Sequence, residues 1–199
     1  FSAEDKVRVA QQLDGLGVQF IEGGWPGANP KDIEFFRMIK TVPLQTATVV
    51  AFGSTRKSSN AVKKDSNILA LLDAETKIIT LFGKTWSLHV TDALGISLVK
   101  NLELISDSMA HLRSKGRRVF YDAEHFFDGY KTNPDYALET IRQAVLAGAE
   151  RVILCDTNGG SLPHEVEATV RSVVDYVGAD VRVGVTVGAG NGYMREHWI

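Results

Sequence analysis

Short apolar runs rich in β-branched residues alternate along the chain with longer segments in which apolar residues recur every three or four positions. The short runs predict β-strands at 18–22, 46–52, 77–82, 118–122, 151–156 and 180–187. The longer segments predict helices at 30–40, 67–74, 92–115, 134–147 and 163–177. Pro30, Pro134 and Pro163 stand in the first turns of three of these helices, where proline is favoured.

The two ends of the chain differ from this regular pattern. Ser2 and Asp5 predict the N-cap of an opening helix that runs to about Gly17 without a strand before it. The other end, 188–199, is rich in glycine and has no apolar period, so we predict a loop or an atypical tail. We therefore expect one domain at 1–187, which the missing strand suggests is partial, and an atypical glycine-rich tail at 188–199.

Strands that are each separated by a helix predict a parallel sheet, because parallel neighbours need a crossover connection. Two architectures share this pattern, the closed (β/α)8 barrel and the open doubly wound sheet. Periodicity alone does not choose between them. A barrel needs eight units, whereas the pattern supplies six strands and an opening helix, so the barrel interpretation implies further segments.

The charge, the length of the apolar runs and the cysteine count limit the binding partners and the cellular location that we expect. Lys+Arg is 22 and Asp+Glu is 24, with both signs mixed along the chain, so we expect no nucleic-acid surface. The longest apolar runs are a few residues, far below the roughly 20 that cross a bilayer, so we expect no membrane span. The single cysteine, Cys155, excludes an internal disulfide and favours a reducing, cytoplasmic location.

Polar residues gather where the predicted strands end, at 22–29, 53–56, 83–89, 122–128 and 156–160. Because the carboxyl ends of parallel strands meet at one edge, we expect these five segments to share one active-site rim. Each segment taken alone is about equally typical of ordinary turn chemistry, since glycine and asparagine are common in turns.

The densest cluster is Asp122, Glu124 and His125, whose side chains suit a divalent metal or a proton transfer. Strand alternation places Asp122 and Glu124 on the same face and turns His125 elsewhere, so the carboxylates are the stronger candidates and His125 a structural group. In the next segment Asp156 is expected to anchor a turn, whereas the Thr157 hydroxyl could bind a substrate carboxylate.

Other candidates have a less specific pattern. Glu22 could contact a ligand or pair with a nearby cation. Lys84 and Arg56 could bind an anion, although solvated loop charges are the more ordinary interpretation, and Cys155 is expected to be buried and inert. The chain contains no phosphate-loop motif, paired C-x-x-C motif or G-x-S-x-G elbow.

Five strings together resemble the α-isopropylmalate and homocitrate synthase family, and within it the citramalate synthase branch. They are IEGGWPGANP at 21–30, AFGSTR at 51–56, LFGKTWSLHV at 81–90, YDAEHFFDGYK at 121–131 and LCDTNGG at 154–160. They occur in the family's order, and the resemblance spans about 1–185.

The resemblance implies a (β/α)8 barrel that condenses acetyl-CoA with a 2-oxo acid, with Mg²⁺ or Mn²⁺ as cofactor. For this branch the acid is pyruvate and the product citramalate, in branched-chain amino-acid biosynthesis, and members are often homodimers. By position Glu124 looks like the catalytic glutamate, and Thr157 like the hydroxyl that binds the oxo-acid carboxylate. Glu22 is expected to shape the substrate pocket, and Asp122 to contact substrate from the face that it shares with Glu124.

Two departures concern the metal. Family members carry an Arg-Asp motif in the first strand and a His-x-His pair after the seventh. This sequence starts beyond the former and has Gly-Val-Thr-Val-Gly at 184–188 in place of the latter. We therefore assign no metal ligands, His197 included, and expect the printed chain by itself neither to bind the metal nor to turn over.

Alternatives remain open at this point. Isopropylmalate and homocitrate synthases differ from the citramalate branch mainly in how the pocket sizes the 2-oxo acid. A noncatalytic barrel fragment, whose unpaired edges bind another chain, is a rival from a different class. An aldolase or lyase of the same barrel group shares the chemistry, but the strings around Trp25 and Phe126 favour the synthases.

Overall fold

A computed structural model describes residues 1–178, 180–188 and 194–197. The strands in this part are β1 Phe20–Glu22, β2 Thr48–Ser54, β3 Ile78–Lys84, β4 Arg118–Glu124, β5 Arg151–Asp156, β6 Arg182–Gly188 and β7 Met194–His197. The α-helices are α1 Ala3–Gly15, α2 Pro30–Ile39, α3 Ser66–Asp73, α4 Leu98–Ser114, α5 Phe126–Thr132, α6 Pro134–Leu146 and α7 Pro163–Val177. A 3₁₀ turn, Val62–Lys64, and a π-helical turn, His89–Ala93, complete the described elements.

The sheet distinguishes the two architectures. Strands β1 to β6 are parallel, and each pairs with the next in chain order. A doubly wound sheet reverses its strand order at a switch point, whereas a barrel adds every strand at the same edge. The strands therefore form an arc of a (β/α)8 barrel, which confirms the barrel expectation.

The strands separate two apolar layers because successive side chains point to opposite faces. One set packs with the helices in the main core, including Ile79, Tyr121 and Leu154. The other set, Val50, Ile78, Phe120 and Ile153, forms a smaller cluster on the inner face of the arc. This inner cluster is the apolar floor beneath the strand ends.

The opening helix has a hydrogen-bonded cap at its first turn and contacts the loop before β2 near its other end. A capping box of Ser2 and Asp5 starts α1, as the sequence predicts. Near the other end, the Asp14 carboxylate accepts the backbone N–H groups of Gln45, Thr46 and Ala47. These bonds lower the pKa of Asp14 and tie α1 to the loop before β2.

Three local predictions were wrong. The helix predicted at 92–115 is split, because Gly95 has φ 63° and the Ser97 side chain caps a separate α4. Helix α5 was missed, since its seven residues are too few to show a period. Part of the predicted terminal loop is strand β7, antiparallel to β6. The predicted tail positions 189–193 and 198–199 lie outside the described residues.

None of the helices in the described ranges is long and apolar enough to cross a lipid bilayer.

Candidate active site

The carboxyl ends of the parallel strands surround one cavity of about 880 Å³ on the inner face of the arc. Its polar lining includes four residues predicted from the sequence: Glu22, Asp122, Glu124 and Thr157. Its floor is the inner apolar cluster, with Phe120 and Ile153. The predicted rim is therefore one site, to which separate strands contribute side chains.

Asp122 and Glu124 both face the cavity, as strand alternation predicts, while Ala123 between them is buried in the helix-side core. The Glu124 Oε2 atom lies 2.6 Å from the Lys84 Nζ atom. About a quarter of each side chain is exposed. Lys84 is therefore an ion-pair partner of Glu124, and the interpretation of Lys84 as a solvated loop charge was wrong.

His125 occupies a left-handed conformation, with φ 54° and ψ 36°, between β4 and α5. Its Nδ1 lies 3.1 Å from Asp128 Oδ2, and its ring meets the His89 ring edge-on at a centroid distance of 4.5 Å. Burial lowers the pKa of His89, and the nearby His125 and Lys84 lower it further against the opposing carboxylates. His125 makes these contacts beside the cavity. The sequence predicted such a structural role from its place directly after the strand.

Thr157 follows β5 and is exposed at the cavity, where its Oγ1 accepts the backbone N–H of His125 at 3.0 Å. A hydroxyl that accepts one hydrogen bond can still donate its own proton. Asp156, by contrast, is 1% exposed and its Oδ2 accepts the Ser161 N–H at 3.0 Å. The structure confirms that Asp156 anchors the turn and that Thr157 is accessible at the cavity.

Asp128 connects the loops that follow β4 and β5. Its Oδ2 receives the Asn158 amide at 3.0 Å and lies within hydrogen-bond distance of His125 Nδ1. Sequence reasoning missed this role. The carboxylate four residues after Glu124 was the only available signal, and its partner Asn158 is 30 residues away along the chain.

Trp25 forms part of the cavity wall. Its Nε1–H donates to Asn67 Oδ1, and its ring meets Phe82 edge-on with centroids 5.3 Å apart. A side chain at Gly53 would lie 3.1 Å from the Trp25 Nε1 atom and 3.0 Å from the Asn67 Oδ1 atom. Glycine at position 53 thus lets the indole and the amide pack directly on β2.

A second cavity of about 430 Å³ lies on the other side of Trp25 and Phe82, which line both cavities. Arg56 and Lys84 line the smaller one. Arg56 is 7% exposed and donates to Asp107 Oδ2 at 2.6 Å, so it too was wrongly interpreted as a solvated charge. Cys155 also differs from expectation, since it is only half-buried and lines the larger cavity.

Among the described residues, no three side chains of His, Cys, Asp or Glu are grouped so that they could hold a metal ion. Asp122 and Glu124 are two of the carboxylates that line the cavity, and Glu124 is already paired with Lys84. The donor set in this part of the chain therefore does not fit a divalent cation by itself.

Residues 1–186 match the HMGL-like family. The chain belongs to this family. It is 53% identical over 179 residues to a (R)-citramalate synthase of Synechocystis sp. and 51% identical over 183 residues to one of Geobacter sulfurreducens, and these alignments cover 90% and 92% of the chain. A 2-isopropylmalate synthase of Solidesulfovibrio magneticus and a homocitrate synthase of Sulfurisphaera tokodaii are more distant, at 29% identity over 87% of the chain.

The fold recurs in solved crystal structures of other proteins. Hydroxymethylglutaryl-CoA lyase from Pseudomonas aeruginosa superposes with a TM-score of 0.71 at 20% identity, covering 94% of this chain and 62% of that one. The chain spans about a third of the length of the curated citramalate synthases that it matches, 33% and 35%. The 2-isopropylmalate and homocitrate synthases are matched over 32% and 36% of their length.

Proposed function

We propose that the protein to which this chain belongs condenses acetyl-CoA with pyruvate and releases citramalate and CoA. The observation that carries this proposal is the joined pair of functional groups at one cavity. Glu124 ends β4, Thr157 follows β5, and the N–H of His125, next to Glu124, holds the Thr157 hydroxyl at 3.0 Å. The identity of about half of the residues to (R)-citramalate synthases supports the same substrates.

Each group has a chemical role in this reaction. The Thr157 hydroxyl donates a hydrogen bond to the carboxylate of the oxo acid and fixes its orientation. Glu124 accepts a proton from the acetyl methyl group, and the resulting enolate carbon forms a bond to the keto carbon of pyruvate. The π electrons of the ketone move to its oxygen, which takes up a proton and becomes the hydroxyl of the product. Water then cleaves the thioester, which releases CoA and leaves the second carboxylate of the product.

Two further residues complete the proposed pocket. Glu22 is exposed at the end of β1, and Asp122 lies two residues before Glu124 on β4. Both line the cavity in which we propose that the substrates bind. The aromatic side chains of Phe82 and Phe120 supply apolar surface of the kind that a methyl group contacts. Pyruvate, with a methyl group as its whole side chain, is the acid that we propose for this pocket.

A divalent cation is expected from the family, and its role there is to polarise the ketone. The described residues do not group three such ligands, and the steps assigned above are those of this chain's own side chains. Cation dependence, pathway and homodimer formation are further proposals that rest on the family relationship.

Larger oxo acids are the competing substrates. Each extra carbon of an apolar side chain is worth only about 1–3 kcal/mol in an apolar pocket, so pocket size alone separates pyruvate from 2-oxoisovalerate by a small free-energy difference. The test is a panel of pyruvate, 2-oxoisovalerate and 2-oxoglutarate with acetyl-CoA and Mg²⁺ or Mn²⁺, using the protein in the form that its organism makes. CoA release and product mass are measured for each acid.

We expect the highest kcat/KM with pyruvate and a product of the mass of citramalate. Glu124→Gln keeps the shape of the side chain but cannot accept the proton, so it should lower kcat by about 100-fold or more. Equal or better use of either larger acid would overturn the pyruvate assignment. Release of CoA without any condensed product would overturn the proposed function itself.

A further inference from the structure

Lys84 is the last residue of β3 and stands directly beside Glu124, the last residue of β4, in the parallel register. Phe82 and Thr80, two and four residues before it, line the larger cavity, so alternation turns Lys84 to the same inner face. Its side chain is 24% exposed, with Nζ 2.6 Å from Glu124 Oε2. The ammonium is thus held against the candidate proton acceptor.

The backbones of both residues are fixed without this ion pair. The Lys84 carbonyl accepts the Asn101 amide at 2.8 Å, and the same amide contacts the buried Tyr136 hydroxyl. The Glu124 carbonyl accepts the Thr85 hydroxyl at 2.6 Å. Removing the ammonium would therefore leave the two strand ends in place and release only the Glu124 carboxylate.

The pair also lies on the boundary between the two cavities. Glu124 lines the larger cavity and Lys84 the smaller, and Trp25 and Phe82 belong to both linings. A partly buried ion pair loses much of its Coulomb attraction to the cost of desolvation, so stability alone is a weak reason for it at this place. Orientation of the carboxylate at the junction is the consequence that the geometry does support.

We propose that Lys84 is a positioning residue for Glu124. It binds Oε2 and thereby fixes the side-chain torsions of Glu124, so that the other carboxylate oxygen meets the methyl group of a thioester that reaches the junction. This inference rests on the proposed function, in which Glu124 accepts the methyl proton.

Lys84→Met tests the inference because methionine fills a similar volume without a charge or a donor. We expect kcat to fall by about 10- to 100-fold, as a misplaced catalytic group does, with the KM values of both substrates nearly unchanged. Acetyl-CoA carrying deuterium in its methyl group should then show a larger isotope effect than with the unmodified protein. Lys84→Arg, which can still donate to Oε2, should restore most of kcat.

Lys100→Met is the matched control. It removes an exposed ammonium that lies 2.8 Å from Glu103 on α4, and it should leave every one of these parameters unchanged. A kcat of Lys84→Met equal to that of the control, or a reduced kcat with no change in the isotope effect, would overturn the positioning role.

A crystal structure of Lys84→Met separates this inference from the proposed function. We expect the β3 and β4 backbones to superpose on those of the unmodified protein, with the Glu124 carboxylate displaced from its place at the junction. A carboxylate that keeps its place refutes positioning by Lys84, whether or not the protein condenses pyruvate. Absence of condensation by the unmodified protein with all three acids would refute the proposed function, whatever the position of the carboxylate.

Discussion

The Thr157 hydroxyl oxygen accepts the backbone N–H of His125 at 3.0 Å, which fastens the first residue after β5 to the first residue after β4. Because this contact uses the backbone of His125, it survives substitution of the imidazole. It leaves the Thr157 hydroxyl proton able to donate to a ligand in the cavity. The Thr157 hydroxyl and the His125 imidazole can therefore be substituted separately, and the effect of each can be measured alone.

For Thr157 the hydroxyl is the decisive group. Thr157→Val keeps the shape but removes the donor and leaves the His125 N–H without its acceptor, so KM for the oxo acid should rise by about 10-fold. Thr157→Ser retains the hydroxyl and should stay near the original KM. Steady-state kinetics at saturating acetyl-CoA measure both, and equal KM values for the two variants would contradict the assigned role.

The left-handed backbone conformation of His125 decides how a substitution there changes the free energy of unfolding. A β-branched residue is strained in the left-handed region, so His125→Val should lower the free energy of unfolding by about 1–2 kcal/mol relative to His125→Gly. Both variants lose the contact with Asp128, which makes the pair a matched comparison. Urea unfolding followed by circular dichroism supplies the difference, and a valine variant as stable as the glycine variant would exclude backbone strain.

Asp65 predicts a pH-dependent stability. Burial by itself raises the pKa of this carboxyl, but hydrogen bonds from the Asn60 amide and from the backbone of Lys57, Ile68 and Asn67 outweigh burial and lower it. A depressed folded-state pKa stabilises the protein above the unfolded value of about 3.9, and this contribution is lost as pH falls through the folded pKa.

Asp65→Asn removes the charged acceptor and should lower the free energy of unfolding by about 2 kcal/mol at pH 7. The difference from the unmodified protein should be constant down to about pH 5 and shrink below pH 4. Asp73→Asn, at an exposed position on α3, is the control for a lost charge. A deficit for Asp65→Asn that does not change between pH 7 and pH 3 would contradict the linkage.

Gly83 packs against the ring of Tyr121 on the helix side of the sheet. A methyl group at position 83 would lie 2.7 Å from the Tyr121 hydroxyl oxygen, so Gly83→Ala should destabilise the fold by about 1–3 kcal/mol. The added substitution Tyr121→Phe removes that oxygen and should recover part of the loss.

Gly15→Ala serves as the comparison for the Gly83 experiment. A methyl group at position 15 meets no atom within 4 Å, and alanine favours the helix, so stability should stay the same or rise. Thermal unfolding of the unmodified protein and of these three variants measures the differences. Failure of Tyr121→Phe to recover any stability would show that the clash lies elsewhere.

Local sequence patterns predicted the features that depend on neighbouring residues. The capping box of Ser2 and Asp5 and the shared face of Asp122 and Glu124 both follow from spacings of two or three positions. The pairing of Lys84 with Glu124 joins residues 40 positions apart and needs the register of β3 against β4. A count of alternate positions on β3 indicates that Lys84 faces inward, but not what it meets there.

The choice of architecture shows the same limit. Alternating strands and helices are compatible with a barrel and with an open sheet, because both use the same βα unit. Only the order in which strands such as β4 and β5 add to the sheet separates them, and that order is a property of tertiary pairing. The break before α4 was missed for a related reason, since the apolar period on both sides of Gly95 continues in the same phase as one helix.

Trp25 stands in the wall that the two cavities share, with its N–H held by Asn67 and its ring edge-on to Phe82. The emission of an indole shifts with the polarity and hydrogen bonding around it. A molecule that binds in either cavity therefore changes the fluorescence emission of Trp25. Subtracting the fluorescence spectrum of Trp25→Phe from that of the unmodified protein isolates the emission of Trp25 from that of the other tryptophans. A shift in this difference spectrum then reports that a ligand has bound in either cavity.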